Sequence, residues 1–487
     1  MDHPFKVLFV AAEVSPLAKV GGLGDVVGSL PQALRQAGHD VRITMPRYGS
    51  INLEGYQAAR QGNFTIPFMG VQEEIGIIQV LLKGVVPVYL LENKRYFDRL
   101  AIYGENDDLE RFLLFSMAAM EVPKQLDWQP DILHCHDWHA GMVPPLLKVA
   151  YRNDAFYSSC ASIFTIHNLA YQGWFDDIFA ERAGLYGYIP PPGDPSRDKC
   201  YSMAGLGIYH SDLVSTVSET YAMEILTLEY GEGLETLLQS RQDSLFGILN
   251  GVDYEQFDPS TDCIIAANYD VDSLDKRIAN KTALQEKAGL PVNAAIPLLG
   301  FAGRLVDQKG IDILAGGMGA LESLLAEMDV QFVLQGVGDA EYEESFKKLE
   351  SLYPKKVRAF LTLDFSLAQL IFAGCDIFLV PSRFEPCGLT PLVAMRYGSI
   401  PVVRHTGGLA ETVAGCSPDL SGCLGFVFER YDAGELLATL KRALAAFKNK
   451  NEWRKLMVRA MQADFSWKAS IPRYDALYEM ARRKVSS

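Results

Sequence analysis

The chain has 487 residues, 49% hydrophobic and 22% charged, ordinary globular proportions with apolar material for more than one core. Its 45 Lys and Arg face 60 Asp and Glu, a formal net charge of −15. That balance argues against nucleic acid or an anionic membrane as partner and suits a neutral polymer.

The N-terminus, MDHPFKVLFVAAE, lacks an Arg-rich or long apolar leader, and no run of about 18 apolar residues occurs. A cytoplasmic protein without transit peptide, signal peptide or transmembrane segment is expected. The eight cysteines include no CxxC pair and read as free thiols of a reducing compartment.

Short apolar runs at 6–12, 41–45, 86–91, 131–134, 162–165 and 213–217 form a first block of buried strands, with helical periodicity at 110–122 between them. The stretch 183–198, containing Pro190-Pro-Pro-Gly-Asp-Pro195, is irregular. Residues 250–259 are turn-rich and mark a domain boundary. A helix over 272–289, ending at Gly289, opens a second block with strands at 297–302, 330–334, 357–361, 376–380 and 400–403 and a helix at 435–447. Strands alternating with helices predict an α/β protein of two doubly wound lobes. Ligands of such sheets bind at the carboxyl ends of strands, so the motifs that follow strands carry the chemistry.

The first is Lys19-Val-Gly21-Gly22-Leu-Gly-Asp25, where glycines and a helix N-terminus can approach a diphosphate or a sugar. It can also be a turn that merely packs. It is not the dinucleotide fingerprint, because Gly28 comes one residue too late. His134-Cys-His136-Asp137-Trp138-His139 follows the fourth strand; a metal site lacks further ligands nearby, and the polar groups beside an aromatic ring suit carbohydrate. Thr165-Ile-His167-Asn168-Leu-Ala-Tyr171 leaves the next strand, and His167 can meet a sugar hydroxyl or developing charge. In the second block, Arg304 and Lys309 span a strand-to-helix turn and can grip one anion. Glu385-Pro-Cys387-Gly388-Leu389-Thr390 opens a helix, with a carboxylate able to stabilise an oxocarbenium-like transition state beside amides for phosphate. His405-Thr-Gly407-Gly408 is a further glycine turn. Asp270-Val-Asp272 sits at a helix start, where acids complement the dipole rather than bind metal.

Together, KVGGLGDV, HDWHAG, TIHNLAYQG, VSTVSETYAMEI, ILNGVD, GRLVDQKG and SRFEPCGL…RHTGGLAETV, spanning residues 6 to 413, resemble the bacterial glycogen synthase and plant starch synthase family. The resemblance implies a GT-B architecture, two Rossmann-like lobes facing across a deep interlobe cleft. The implied domains are an N-terminal lobe 1–249 for acceptor and glucose, a C-terminal lobe 250–465 for the nucleotide-sugar, and a segment 466–487 crossing back onto the first lobe. It implies retaining transfer of glucose from ADP-glucose to the non-reducing 4-OH of an α-1,4-glucan, with no metal and no cofactor. By position, Lys19, Gly21, Gly22, Asp25, Asn250, Arg304, Lys309, Cys387, Gly388, Leu389 and Thr390 would bind the donor. Glu385 and His167, with Arg304 and Lys309, would be catalytic. The strand-end residues His136, Asp137, Trp138, Asn168 and Tyr171 are read as lining the acceptor side. The expected partners are ADP-glucose and a glucan.

The chain departs from the family where Asn-x-x-Lys is usual: Ser202 and Gly205 stand there, and Asp107-Asp108 replaces the usual Asp-Asn. UDP-glucose remains an alternative donor and a covalent route through Glu385 an alternative to front-face attack. Two Rossmann lobes also admit a nicotinamide-dependent oxidoreductase. The departures admit a glucan-binding protein with poor catalysis.

Overall fold

The computed structural model describes residues 4–317 and 319–486. Strand β1 (Lys6–Val10) has four consecutive buried residues. Alternation sends Val7 and Phe9 to one face and Leu8 and Val10 to the other, and both faces are core. The same unit contains β2 (Asp40–Pro46), β3 (Ala59–Phe68), β4 (Val71–Leu82), β5 (Val86–Glu92), β6 (Ile132–His136), β7 (Ala161–Ile166), β8 (Leu213–Thr216) and β9 (Leu245–Gly247). The order is β3-β4-β5-β2-β1-β6-β7-β8-β9. β3, β4 and β5 pair antiparallel, and the other pairings are parallel. The order reverses direction between β1 and β6, the switch point at which α/β sheets open a ligand crevice.

The second unit has β10 (Leu298–Ala302), β11 (Gln331–Gln335), β12 (Val357–Phe360), β13 (Ile377–Val380), β14 (Ile400–Arg404) and β15 (Phe426–Phe428), all parallel, in the order β12-β11-β10-β13-β14-β15. Its switch point lies between β10 and β13.

The two units meet in the sequence twice, between Gly251 and Val252 and between Ser466 and Trp467. The helix Trp467–Ser486 therefore belongs to the first unit, where Trp467, Ile471, Tyr474, Leu477 and Tyr478 enter the core that holds Phe5, Val7 and Phe9. His39 and Asp475 pair there at 2.8 Å, and the Trp467 indole donates to Ser29 at 2.8 Å.

Three sequence expectations need correction. The hairpin β3–β4 was not foreseen, because an antiparallel edge exposed along most of β3 never forms an apolar run. The helix expected over 272–289 is a 3₁₀ turn Leu274–Lys276 followed by a helix Arg277–Lys287. Asp270 instead accepts amide hydrogens from Asp272 and Ser273 at 3.1 and 2.9 Å and makes a turn. Finally, not all cysteines are free: Cys416 and Cys423 form a disulfide, Cα atoms 4.8 Å apart. The bridge Gly415↔Gly425 folds this loop back on itself and brings them together.

Candidate functional site

In the first unit, the chain leaving β1 turns at Glu13. This buried carboxylate accepts from the backbone N–H of Val20 (2.6 Å) and Gly21 (2.9 Å) through one oxygen and from the Tyr103 hydroxyl (2.5 Å) through the other. Glu13 thus fixes the glycine turn, and sequence reading missed it; an acid immediately after a buried strand was the available signal. The helix Gly22–Gln36 begins with no side-chain cap, which leaves its N-terminal dipole for a ligand. Gly28 lets it approach the preceding turn, since a Cβ there would fall 2.6 Å from Ser15 O. Lys19 Nζ pairs with Asp25 at 2.6 Å. Burial pushes the Asp25 carboxyl up, and Lys19 offsets part of that.

At the end of β6, Asp137 sits at φ +56, uncommon for a side-chain-bearing residue. Its carboxylate accepts from His167 N (2.7 Å) and, more weakly, Asn168 N (3.4 Å) and so ties the ends of β6 and β7. Burial raises it to about 7, against the lowering effect of those amides. His136 Nδ1 lies 2.9 Å from His167 Nε2. Burial holds His134, His139 and His167 down at about 3 and His136 well below its ordinary value, so all four imidazoles are neutral at pH 7.

Trp138 is wedged between Phe112, His139 and Gly173, where a Cβ would fall 2.2 Å from its ring; its ring first of all seats the 171–173 turn. Tyr171 is exposed and Asn168 half-buried, with Asn168 Oδ1 accepting from Ala170 N at 3.1 Å. Asn250 is buried, with an unpartnered Oδ1.

Ser202 and Gly205, the departures from the family pattern, form a complete local structure. Ser202 caps the helix Met203–His210, its Oγ accepting from Gly205 N at 3.0 Å. A Cβ at 205 would fall 1.9 Å from Lys199 O, so no side chain fits there without rebuilding the turn.

In the second unit, the residues singled out by sequence follow β10 and β13, the strands flanking the switch point. Lys309 Nζ reaches Glu385 Oε2 at 2.6 Å, and Ser382 Oγ donates to the same oxygen at 2.9 Å. Glu385 is 7% exposed, and neither bond uses Oε1. Arg304 bonds Gln308 Oε1 at 3.3 Å, and Gln308 O accepts from Arg383 N at 2.9 Å, which fastens the post-β10 turn to the post-β13 turn.

Gly388, at φ +83, opens the helix Leu389–Arg396 with no side-chain cap; Cys387 is buried against it. Gly408 N donates to Glu385 O (3.1 Å), and a Cβ on Gly408 would fall 2.0 Å from Cys387 O. The two glycine turns therefore interlock behind Glu385. Gln308, Ser382 and Gly408 gain their roles only through these contacts.

Among the described residues, no group of three or more His, Cys, Asp or Glu is placed to hold a metal ion; both nitrogens of His134 are engaged, with Tyr478 and Thr165. No helix among them is long and apolar enough to cross a membrane.

Two α/β lobes, one on a mainly parallel sheet and one on a wholly parallel sheet, with glycine turns at strand ends, have the architecture of GT-B glycosyltransferases. The starch synthase catalytic domain family matches residues 6–240, and the glycosyl transferases group 1 family residues 284–456. The chain is 44% identical to a glycogen synthase of Moorella thermoacetica, over 99% of this chain and 98% of that one. It is 43% identical to a glycogen synthase of Clostridium beijerinckii, over 97% and 98%. The catalytic domain of starch synthase IV from Arabidopsis thaliana, bound to ADP and acarbose, superposes with a TM-score of 0.90 at 34% identity, covering all of both chains. A sucrose-phosphate synthase from Thermosynechococcus elongatus shares the fold, with a TM-score of 0.62 at 18% identity.

The chain belongs to the family of bacterial glycogen synthases and plant starch synthases. It is a glycosyltransferase of glycogen or starch synthesis, and the oxidoreductase alternative falls away.

Proposed function

We propose that the enzyme transfers glucose from ADP-glucose to the non-reducing 4-hydroxyl of an α-1,4-glucan with retention of configuration and without a metal or cofactor. The second unit takes the nucleotide-sugar; the first takes the acceptor and contributes contacts to the glucose. The observation that carries this reading is the Lys309–Glu385 pair, a cation 2.6 Å from a buried carboxylate at the switch point of the second sheet. ADP in the starch synthase IV structure supports the choice of nucleotide.

Arg304 and Lys309 supply positive charge to the departing diphosphate, and the uncapped helix Leu389–Arg396 offers the amides of Cys387, Gly388, Leu389 and Thr390 to it. Lys19, Gly21, Gly22, Asp25 and Asn250 complete the donor contacts. Glu385, held through Oε2, keeps Oε1 for the developing positive charge on the sugar. His167 is neutral at pH 7 and so contributes a hydrogen bond without opposing that charge. His136, Asp137, Trp138, Asn168 and Tyr171 form the acceptor side, with Asp137 ordering the backbone of His167. The acceptor hydroxyl attacks from the face the diphosphate leaves, and the departing phosphate takes its proton.

Competition of ADP-glucose against UDP-glucose, with glycogen as acceptor, tests the donor; preference for UDP-glucose would overturn that choice. Lys309→Ala is expected to lower kcat/KM about 100- to 1000-fold, the cost of losing one transition-state charge contact. Wild-type rates in Lys309→Ala and Glu385→Ala would remove both roles, and glucan binding with negligible turnover by the wild-type enzyme would make it a binding protein.

A further inference from the structure

A line of buried polar groups runs from the last helix to His167. Tyr478, on the helix Trp467–Ser486, is fully buried and its hydroxyl lies 3.1 Å from His134 Nδ1. His134 Nε2 lies 2.7 Å from Thr165 Oγ1, which meets Ser215 Oγ at 2.7 Å. With both nitrogens partnered, the His134 ring cannot turn without stranding a buried polar atom. His136 stacks on it, centroids 4.4 Å apart and planes at 27°, and Phe9 touches both rings. His136 Nδ1 then faces His167 Nε2 at 2.9 Å, while its own Nε2 is buried without a partner.

This last atom decides the tautomers. If His167 donated, His136 would carry its hydrogen on the orphaned Nε2, and a buried unpaired N–H is the costlier orphan. If His136 donates from Nδ1, the orphan is only a lone pair. His167 then accepts at Nε2 and carries its hydrogen on Nδ1.

We infer that Tyr478 is a positioning residue: acting through His134 and the His136 ring stacked on it, it holds the plane in which His136 donates to His167, which then presents Nδ1–H to a hydroxyl of the reacting glucose. The inference rests on the reading of His167 as a sugar contact. Asp475, on the same helix, bonds His39 at 2.8 Å; His39 lies edge-on to Tyr478 at 6.0 Å, but Asp475 makes no hydrogen bond to this line, so its substitution weakens docking of the helix while keeping the Tyr478 hydroxyl.

The test compares Tyr478→Phe, which keeps the ring, with Asp475→Asn and His167→Ala, using ADP-glucose and glycogen for kinetics and ¹⁵N imidazole spectra of the resting enzyme for tautomers. Tyr478→Phe is expected to lower kcat about five- to tenfold, the effect of one lost buried hydrogen bond, and to mix the tautomer signals of His136 and His167. Asp475→Asn is expected to lower the thermal midpoint and leave kcat and the His136 and His167 signals as in the parent. Unchanged kcat and signals in Tyr478→Phe, with activity lost in His167→Ala, would overturn the inference alone. Equal loss of kcat in Tyr478→Phe and Asp475→Asn would also overturn it, reducing the contact to helix docking. Full activity of His167→Ala would instead overturn the role of His167, and the imidazole signals of Tyr478→Phe would still show whether the ring is held.

Discussion

Glu13 serves three donors with two oxygens, and a glutamine in its place keeps only one acceptor. In Glu13→Gln, the amide nitrogen would either oppose the Val20 and Gly21 N–H groups, donor against donor, or face the Tyr103 hydroxyl, whose hydrogen then loses its acceptor. Stranding buried donors costs about 1–3 kcal/mol, so steady-state kinetics should show kcat/KM for the donor falling about tenfold or more. Unchanged kinetics would mean that the glycine turn holds without its clamp. At this scale the sequence exposed the groups that end strands, such as Lys309, Glu385 and His167, because the motifs name them. It hid their partners: Ser382 was inside a quoted motif, yet its bond to Glu385 depends on the turn geometry after β13. Glu13 and Tyr103 lie 90 positions apart and meet only once the first sheet has formed.

The segments at the ends of β6 and β7 gather four buried histidines, and their titration should be visible in the stability of the first unit. Their folded-state values lie at about 3 or well below the ordinary 6.5. The unfolded chain therefore takes up protons first, and stability present in full above pH 6.5 is lost as pH falls toward 3. Each histidine can contribute up to about 1.4 kcal/mol per pH unit. Asp137 works in the opposite sense: raised to about 7, it stabilises the fold at low pH and loses that effect as pH rises through 7, offsetting about one of the four. The thermal midpoint should fall between pH 7 and pH 5, above the range where ordinary carboxylates titrate; a flat midpoint there would contradict the burial of these rings. Elements buried on both faces were legible as apolar runs, and so were the parallel strands that place the site. The exposed β3 and the three-residue β9 and β15 were not, because solvent on one face or extreme shortness erases the signal.

The first unit borrows its last helix from the far end of the chain. Trp467, Ile471, Tyr474, Leu477 and Tyr478 are 0–8% exposed. At roughly 1.5–3 kcal/mol per large buried side chain, these five amount to about 10 kcal/mol, comparable with the whole stability of a typical domain. A chain ending at Ser466 should keep a protected second unit while the first becomes susceptible, as limited proteolysis or hydrogen exchange would show; equal protection of both units would refute the dependence. The two blocks of strands were readable from periodicity. The attachment of 467–486 to the first core is set by Tyr478 meeting His134 across 344 positions, a distance no local pattern encodes.

That attachment also sets an order of events during synthesis. Residues 252–466 are contiguous in sequence and can form their unit once they leave the ribosome. The first unit, although its strands are translated first, waits for residues 467–486, which are made after the whole of the second. Until residue 478 has emerged, His134 lacks Tyr478, so the second unit can be complete while the first is still missing part of its core.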